Sequence, residues 1–135
     1  MAMITWSDSL KVDIKVIDEQ HKIWIGLINK LHEAMLQGKG KEILGEVYTE
    51  LINYTIYHFD FEEKLFQQYG YKESLSHIQM HANLTQRVKD LKTEFEKGTF
   101  LITIDTMDFL NDWLYNHIMK PDKQYASFLK SKGVV

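Results

Sequence analysis

The stretch SLSHIQMHANLTQRVKDLKTEFEKG, from Ser74 to Gly98, carries the pattern that decides the fold. Its apolar residues recur at intervals of three and four, which is the spacing of one face of an α-helix. They are Leu84, Val88, Leu91 and Phe95. Two histidines, His77 and His81, extend the same stripe toward the start of the stretch. The pattern therefore predicts a helix that buries one face and carries two imidazoles on it.

Three further segments have the same periodicity, and glycines separate them. The predicted helices span about 18–38, 41–69, 74–97 and 103–121, followed by a short C-terminal helix at about 122–131. Asp18 is a favourable N-cap residue for the first helix. Short loops make sequential helices antiparallel, so the predicted fold class is all-α, an antiparallel up-down-up-down four-helix bundle in a single domain, 1–135.

Residues 1–17 precede the bundle. Val12, Ile14 and Val16 alternate along the chain as in a β-strand. A lone strand has no neighbour to satisfy its backbone hydrogen-bonding groups, so we expect an extended N-terminal arm laid over the bundle instead.

The composition excludes several classes of protein. The 135 residues include no cysteine, so any metal must be held by nitrogen and oxygen ligands. The net charge of -3 comes from interspersed residues, with no basic patch for nucleic acid. No apolar run approaches the roughly 20 residues that span a bilayer, and the N-terminal sequence MAMITWSDS lacks the pattern of a signal peptide. We expect a cytoplasmic protein that binds neither nucleic acid nor membrane.

Five of the six histidines lie on the apolar stripes. They are His21, His58, His77, His81 and His117. Glu62 follows His58 by four residues and shares its face of the second helix. A single histidine on an apolar face is more often a hydrogen-bonded core residue than a ligand, but an ionised carboxylate in a core needs a compensating cation.

Antiparallel packing places these residues at the same end of the bundle. The starts of the first and third helices meet the ends of the second and fourth, and at ~1.5 Å per residue the candidates fall in a slab two or three turns thick. His32 lies eleven residues beyond His21, or ~16 Å along the axis, so we do not expect it to bind the metal.

The number of donors predicts two metal ions, because five imidazoles exceed the four ligands of a tetrahedral zinc. Two octahedral ions offer about twelve positions, of which five nitrogens, two bridging carboxylates and one bridging oxo or hydroxo group fill eleven. The second carboxylate is predicted to be Asp122, although it lies ~140° around an ideal helix from His117. Pro121 is expected to bend or end the helix and so re-aim Asp122 inward. The alternative is an exposed aspartate in a helix-ending turn.

Four motifs together resemble the hemerythrins, specifically the bacterial ones, and the resemblance spans essentially the whole chain. The motifs are IDEQH (17–21), HFDFEE (58–63), HIQMH (77–81) and WLYNHIMKPDKQY (113–125). Relatives often have proline where Lys72 stands and methionine where Phe66 stands; neither difference affects the ligand set.

The resemblance implies a cofactor of two iron ions with an oxo or hydroxo bridge. It implies one iron held by His77, His81 and His117, a second iron held by His21 and His58, and bridges from Glu62 and Asp122. Oxygen would bind at the two-histidine iron, and Trp113 and Leu114 resemble the apolar wall of the oxygen pocket.

The predicted function is reversible binding of molecular oxygen for storage, delivery or sensing, and not catalysis. The alternative is a di-iron enzyme with oxidase, peroxidase or nitric-oxide-reducing activity. Ferritin-like enzymes of this kind use Glu-x-x-His pairs, and the sequence has none. A metal-free interaction bundle is a third possibility, but it would leave five stripe histidines and a buried glutamate without a cation.

Overall fold

The computed structural model describes residues 5–98 and 104–135. It contains a short 3-10 turn at Asp8–Leu10, helices α1 (Lys15–Leu36), α2 (Lys41–Tyr69), α3 (Ser74–Glu96) and α4 (Ile104–His117), a π-helical turn (Ile118–Asp122) and helix α5 (Lys123–Ser131). The described residues contain no strand, and the prediction of an all-α four-helix bundle is confirmed. The predicted first residue of the fourth helix, at 103, and residues 1–4 of the arm lie outside the described residues.

The core is one continuous cluster that draws on every helix. The predicted stripes supply its centre: Ile28, Leu31, Leu51, Val88 and Leu114 are each at most 4% exposed. α1 packs against α2, α2 against α3, and α1 against α4. Among the described residues no helix is both long enough and apolar enough to cross a membrane.

The turn from α2 to α3 depends on Gly70, which has the left-handed backbone angles φ 67° and ψ 43°. Glycine adopts this conformation without the steric cost that a side chain would add. The N–H groups of Gly70 and Tyr71 both donate to the carbonyl of Phe66, the second at 3.0 Å. The chain therefore reverses sharply, and the end of α2 lies beside the start of α3.

The N-terminal arm ends earlier than predicted, and Asp18 does not cap α1. The helix begins at Lys15, and the Asp18 carboxylate accepts hydrogen bonds from the N–H groups of Val12 at 2.8 Å and Asp13 at 3.2 Å. Asp18 therefore holds the arm to the bundle. Val12 and Ile14 are buried, but Val16 is 43% exposed because it already belongs to the first turn of α1.

Pro121 was expected to bend or end the helix that contains His117, and the structure shows a local distortion there but no end of the helix. It passes through the π-helical turn and continues as α5, and the N–H of Lys123 donates to the carbonyl of Ile118 five residues earlier. A turn with five-residue spacing accommodates a proline, which has no N–H to contribute to the four-residue pattern.

We predict that Asp18→Ala lowers the free energy of unfolding by ~2–4 kcal/mol, because two backbone N–H groups lose an ionised acceptor. Urea unfolding of the variant and the wild type in the same metal state measures the change. Glu19→Ala is the matched control, since Glu19 is exposed and its ion pair with Lys22, at 3.4 Å, is exposed as well. It is expected to cost under ~0.5 kcal/mol. Equal losses in the two variants would contradict the role of Asp18.

Candidate metal centre

The structure brings all seven predicted ligand residues together at one end of the bundle. Their side chains come from α1, α2, α3, α4 and the π-helical turn, and each residue is at most 4% exposed. They form two groups, and within each group the donor atoms all lie within 4.8 Å of one another. Both groups include Glu62 and Asp122.

The larger group contains three histidines and the two carboxylates. The Nε2 atoms of His77 and His117 lie 3.1 and 3.2 Å from Oδ1 of Asp122. The Nε2 atom of His81 lies 3.3 Å from Oε1 of Glu62. Three imidazoles and one oxygen of each carboxylate thus face a common point.

The smaller group contains two histidines and the opposite carboxylate oxygens. The Nε2 atom of His21 lies 3.1 Å from Oδ2 of Asp122, and the Nε2 atom of His58 lies 3.5 Å from Oε2 of Glu62. Each carboxylate therefore turns one oxygen toward each group, which is the arrangement of a carboxylate that bridges two cations.

The π-helical turn brings Asp122 into the cluster. On an α-helix Asp122 would lie about 140° from His117, but π-helical spacing places residues five apart on the same face. The two side chains accordingly meet at 3.2 Å, and Asp122 is fully buried. The exposed-aspartate alternative is wrong for this reason.

Five donor atoms that face the centre are buried without a hydrogen-bond partner among the described residues. They are Nε2 of His21, Nε2 of His58, Oε1 of Glu62, and Oδ1 and Oδ2 of Asp122. Unpaired buried polar atoms are costly unless something satisfies them. Adjacent ligands ~2.1 Å from an octahedral ion lie ~3 Å apart, close to the spacings observed here. The residues thus fit metal cations bound between them.

Burial keeps two of the imidazoles neutral. Loss of hydration lowers the pKa of His58 to about 4. It also lowers the pKa of His81, to about 3, and the neighbouring His117 and His77 add to this effect. Both rings are therefore neutral near pH 7, and each offers a nitrogen lone pair to a metal.

Opposed effects act on the pKa of Asp122 and on the pKa of His21, whose Nε2 lies 3.1 Å from Oδ2 of Asp122. Burial by itself would raise the pKa of Asp122, but contacts with His117, His21 and His77 hold it well below its usual value. Burial works to lower the pKa of His21, but Asp122 and Glu62 raise it. A metal ion at Nε2 of His21 would compete with a proton for the same lone pair, so metal binding there would be favoured at higher pH.

Three polar residues behind the ligands were missed by sequence reasoning. The amide oxygen of Gln20 accepts from Nδ1 of His58 at 2.7 Å, and the carboxylate of Glu63 accepts from Nδ1 of His81 at 3.0 Å. The hydroxyl of Tyr125 donates to Oε2 of Glu62, and burial beside that carboxylate raises the pKa of Tyr125 well above its usual value. Tyr125 lies three residues after Asp122 and shares its face only on a continuous helix. The sequence would therefore have pointed to Tyr125 only if the helix had been expected to continue past Pro121.

Aromatic rings enclose the imidazoles. The Trp113 ring stacks on His117 at a centroid distance of 4.3 Å, and Phe66 contacts His77 at 4.8 Å. Leu114 is fully buried in the core.

His32 is half-buried and belongs to neither donor group, in line with its predicted exclusion.

Known proteins are similar to this chain in sequence and in architecture. The family model described as Hemerythrin HHE cation binding domain matches residues 12–129. Bacteriohemerythrin of Pseudomonas aeruginosa is 38% identical over 130 residues, which cover 96% of this chain and 84% of the relative. Bacteriohemerythrin of Methylococcus capsulatus is 36% identical over 97% of this chain and all of its own length. A crystal structure of wild-type hemerythrin superposes with a TM-score of 0.89 at 34% identity, covering 93% of this chain and 97% of that one.

We predict that His77→Ala weakens the binding of one metal ion by at least ~10-fold, because it removes a nitrogen donor from the three-histidine group. Titration of the metal-free protein with cobalt(II), followed by its visible absorption, measures the affinity and stoichiometry. His32→Ala is the matched control and should titrate like the wild type. If both variants bound cobalt(II) like the wild type, the assignment of this cluster as a metal centre would be contradicted.

Proposed function

The chain belongs to the hemerythrin family, and on this premise we propose that its seven clustered side chains hold two iron ions that bind molecular oxygen reversibly. Oxygen binding at a non-heme iron centre is the function that family membership supports. The observation that carries the di-iron proposal is the pair of donor groups joined by two shared carboxylates.

We propose the ligand roles from this grouping. His77, His81 and His117 hold one iron, His21 and His58 hold the other, and Glu62 and Asp122 bridge the pair. An additional oxo or hydroxo bridge would complete about eleven of the twelve positions of two octahedral ions. The vacancy then falls at the two-histidine side, because that side has one nitrogen fewer. When bound, the iron pair supplies the two electrons that capture oxygen reversibly.

The remaining residues orient the ligands and exclude water. Trp24 lies 5.2 Å from the His58 ring and 6.1 Å from the Trp113 ring, between centroids. Leu114 is fully buried one turn before His117. We propose that Trp113 and Leu114 wall the oxygen pocket, because an apolar wall keeps out the water and protons that promote irreversible oxidation.

We propose a binding role in preference to catalysis. Five imidazoles and two carboxylates give the metals few anionic donors, and anionic donors are what stabilise strongly oxidised iron. The ligands are also held on helices within a packed core, which suits repeated capture and release of one small molecule. Storage, delivery and sensing of oxygen all use this property.

Cycling between oxygenated and deoxygenated states tests the proposed function. The anaerobic protein, loaded with iron(II), is exposed to oxygen and then purged while its visible absorption is followed. A charge-transfer band that appears and disappears over repeated cycles, with two irons per chain, is the expected result. An irreversible colour change accompanied by turnover of a reductant would favour a di-iron enzyme, and one iron per chain would contradict the two-metal centre.

We predict that Leu114→Ala accelerates conversion of the oxygenated protein to the ferric form by several-fold, because the cavity admits water to the pocket. The rate of decay of the oxygenated absorption band measures the effect. Leu110→Ala is the matched control, since Leu110 is a buried leucine one turn earlier on α4. Both variants should lose ~2–5 kcal/mol of stability, but only Leu114→Ala should oxidise faster. Equal rates of oxidation in the two variants would contradict the pocket role of Leu114.

A further inference from the structure

Two imidazoles, one from each donor group, have outer hydrogen-bond partners of different charge. Nδ1 of His58 contacts the amide oxygen of Gln20 at 2.7 Å, whereas Nδ1 of His81 contacts the carboxylate of Glu63 at 3.0 Å. Both rings turn Nε2 toward Glu62 at the centre, at 3.5 and 3.3 Å. Nδ1 is therefore the protonated nitrogen in each ring and donates outward.

The two partners act differently on the imidazoles. A carboxylate accepts the ring proton through a charge-assisted hydrogen bond, which is roughly twice as strong as a neutral one. Stronger acceptance pushes electron density toward the other ring nitrogen and makes it a better metal ligand. The hydrogen bond to Gln20 lacks this charge, so His58 is the weaker donor of the two.

The position of each partner follows from its access to water. Gln20 is 6% exposed beside a cluster that already contains two buried carboxylates. A third carboxylate there would be costly to bury. The side chain of Glu63 is 30% exposed and lines an open groove between α2 and α3, where water hydrates its charge. The difference in charge between the two partners thus follows from their exposure, because only the partner of His81 reaches solvent.

We propose that Glu63 and Gln20 make the two metals unequal. Glu63 makes the three-histidine ion more electron-rich and more tightly held. Gln20 keeps the two-histidine ion, on the side with the vacancy, less electron-rich, so that captured oxygen would leave as dioxygen and return both electrons to the iron pair. Both are positioning residues that act through a histidine, and the inference rests on the proposed di-iron function.

The test uses two substitutions in the iron-loaded protein that keep the shape of the side chain and change its charge in opposite directions. Glu63→Gln removes the outer charge from the three-histidine side, and Gln20→Glu adds one to the two-histidine side. Asp60→Asn is the matched control, because Asp60 lines the same groove as Glu63 but its carboxylate pairs with Lys64 at 2.9 Å. The readouts are the iron(II) dissociation constants and the midpoint potential of the metal pair.

We expect Glu63→Gln to weaken one of the two iron(II) sites by ~10–100-fold, the usual effect of losing an outer-shell partner. It should also raise the midpoint potential, because the ferric state loses a stabilising negative charge. Gln20→Glu should lower the potential and accelerate ferric conversion. Asp60→Asn should leave both quantities within about twofold of the wild type, since its charge is screened by water. A purely structural role of these residues would not produce potential shifts of opposite sign.

The outcomes separate this inference from the proposed function. A wild-type chain that fails to load two irons overturns the proposed function and this inference with it. A wild type that loads two irons, combined with a Glu63→Gln variant that matches Asp60→Asn, overturns the inference alone. If Gln20→Glu fails to fold, as judged by circular dichroism, the comparison of Glu63→Gln with Asp60→Asn still decides it, because Glu63 is partly exposed and its replacement keeps a hydrogen-bond acceptor.

Discussion

Two carboxyl groups buried in the same core impose the main constraint on this protein. Glu62 and Asp122 are both fully buried, and within residues 5–98 and 104–135 neither forms an ion pair with a lysine or arginine. The surrounding imidazoles of His58 and His81 are neutral near pH 7 and contribute no positive charge. Transfer of such carboxylates from water is prohibitive without a cation. The proposed pair of divalent ions with one hydroxo bridge would reverse that imbalance, so metal loading would stabilise this end of the bundle.

Two kinds of helical spacing position the ligand side chains. The pairs His58–Glu62 and His77–His81 use the four-residue spacing of an α-helix, which places both side chains on one face. The pair His117–Asp122 needs five-residue spacing, and the π-helical turn at Ile118–Asp122 provides it. Proline inside that turn disfavours a return to α-helical bonding. A local departure from regular geometry is thus maintained where the site requires it.

Aromatic packing gives the site its rigidity. The Phe59 ring stacks on His81 with centroids 3.8 Å apart and the planes 2° from parallel, and Trp113 stacks on His117 at 15°. Stacked rings restrict the side-chain torsions of the histidines, so the nitrogen atoms stay near the positions that metal binding requires. The same rings displace water from the surroundings of the centre. Packing and chemistry therefore depend on the same side chains.

The sequence by itself determined the helical bundle and the clustering of histidines at one end, because three- and four-residue periodicity and antiparallel connections are local properties of the chain. It also identified Glu62, whose face is shared with His58. The sequence indicated Asp122 as the second carboxylate but left an exposed position open, and the tertiary structure decided between the two. Only the tertiary structure showed that Asp18 holds the arm and that Gln20, Glu63 and Tyr125 support the ligands. These features depend on a change of helical pitch and on contacts between separate segments, and neither is encoded in the spacing of residues along one helix.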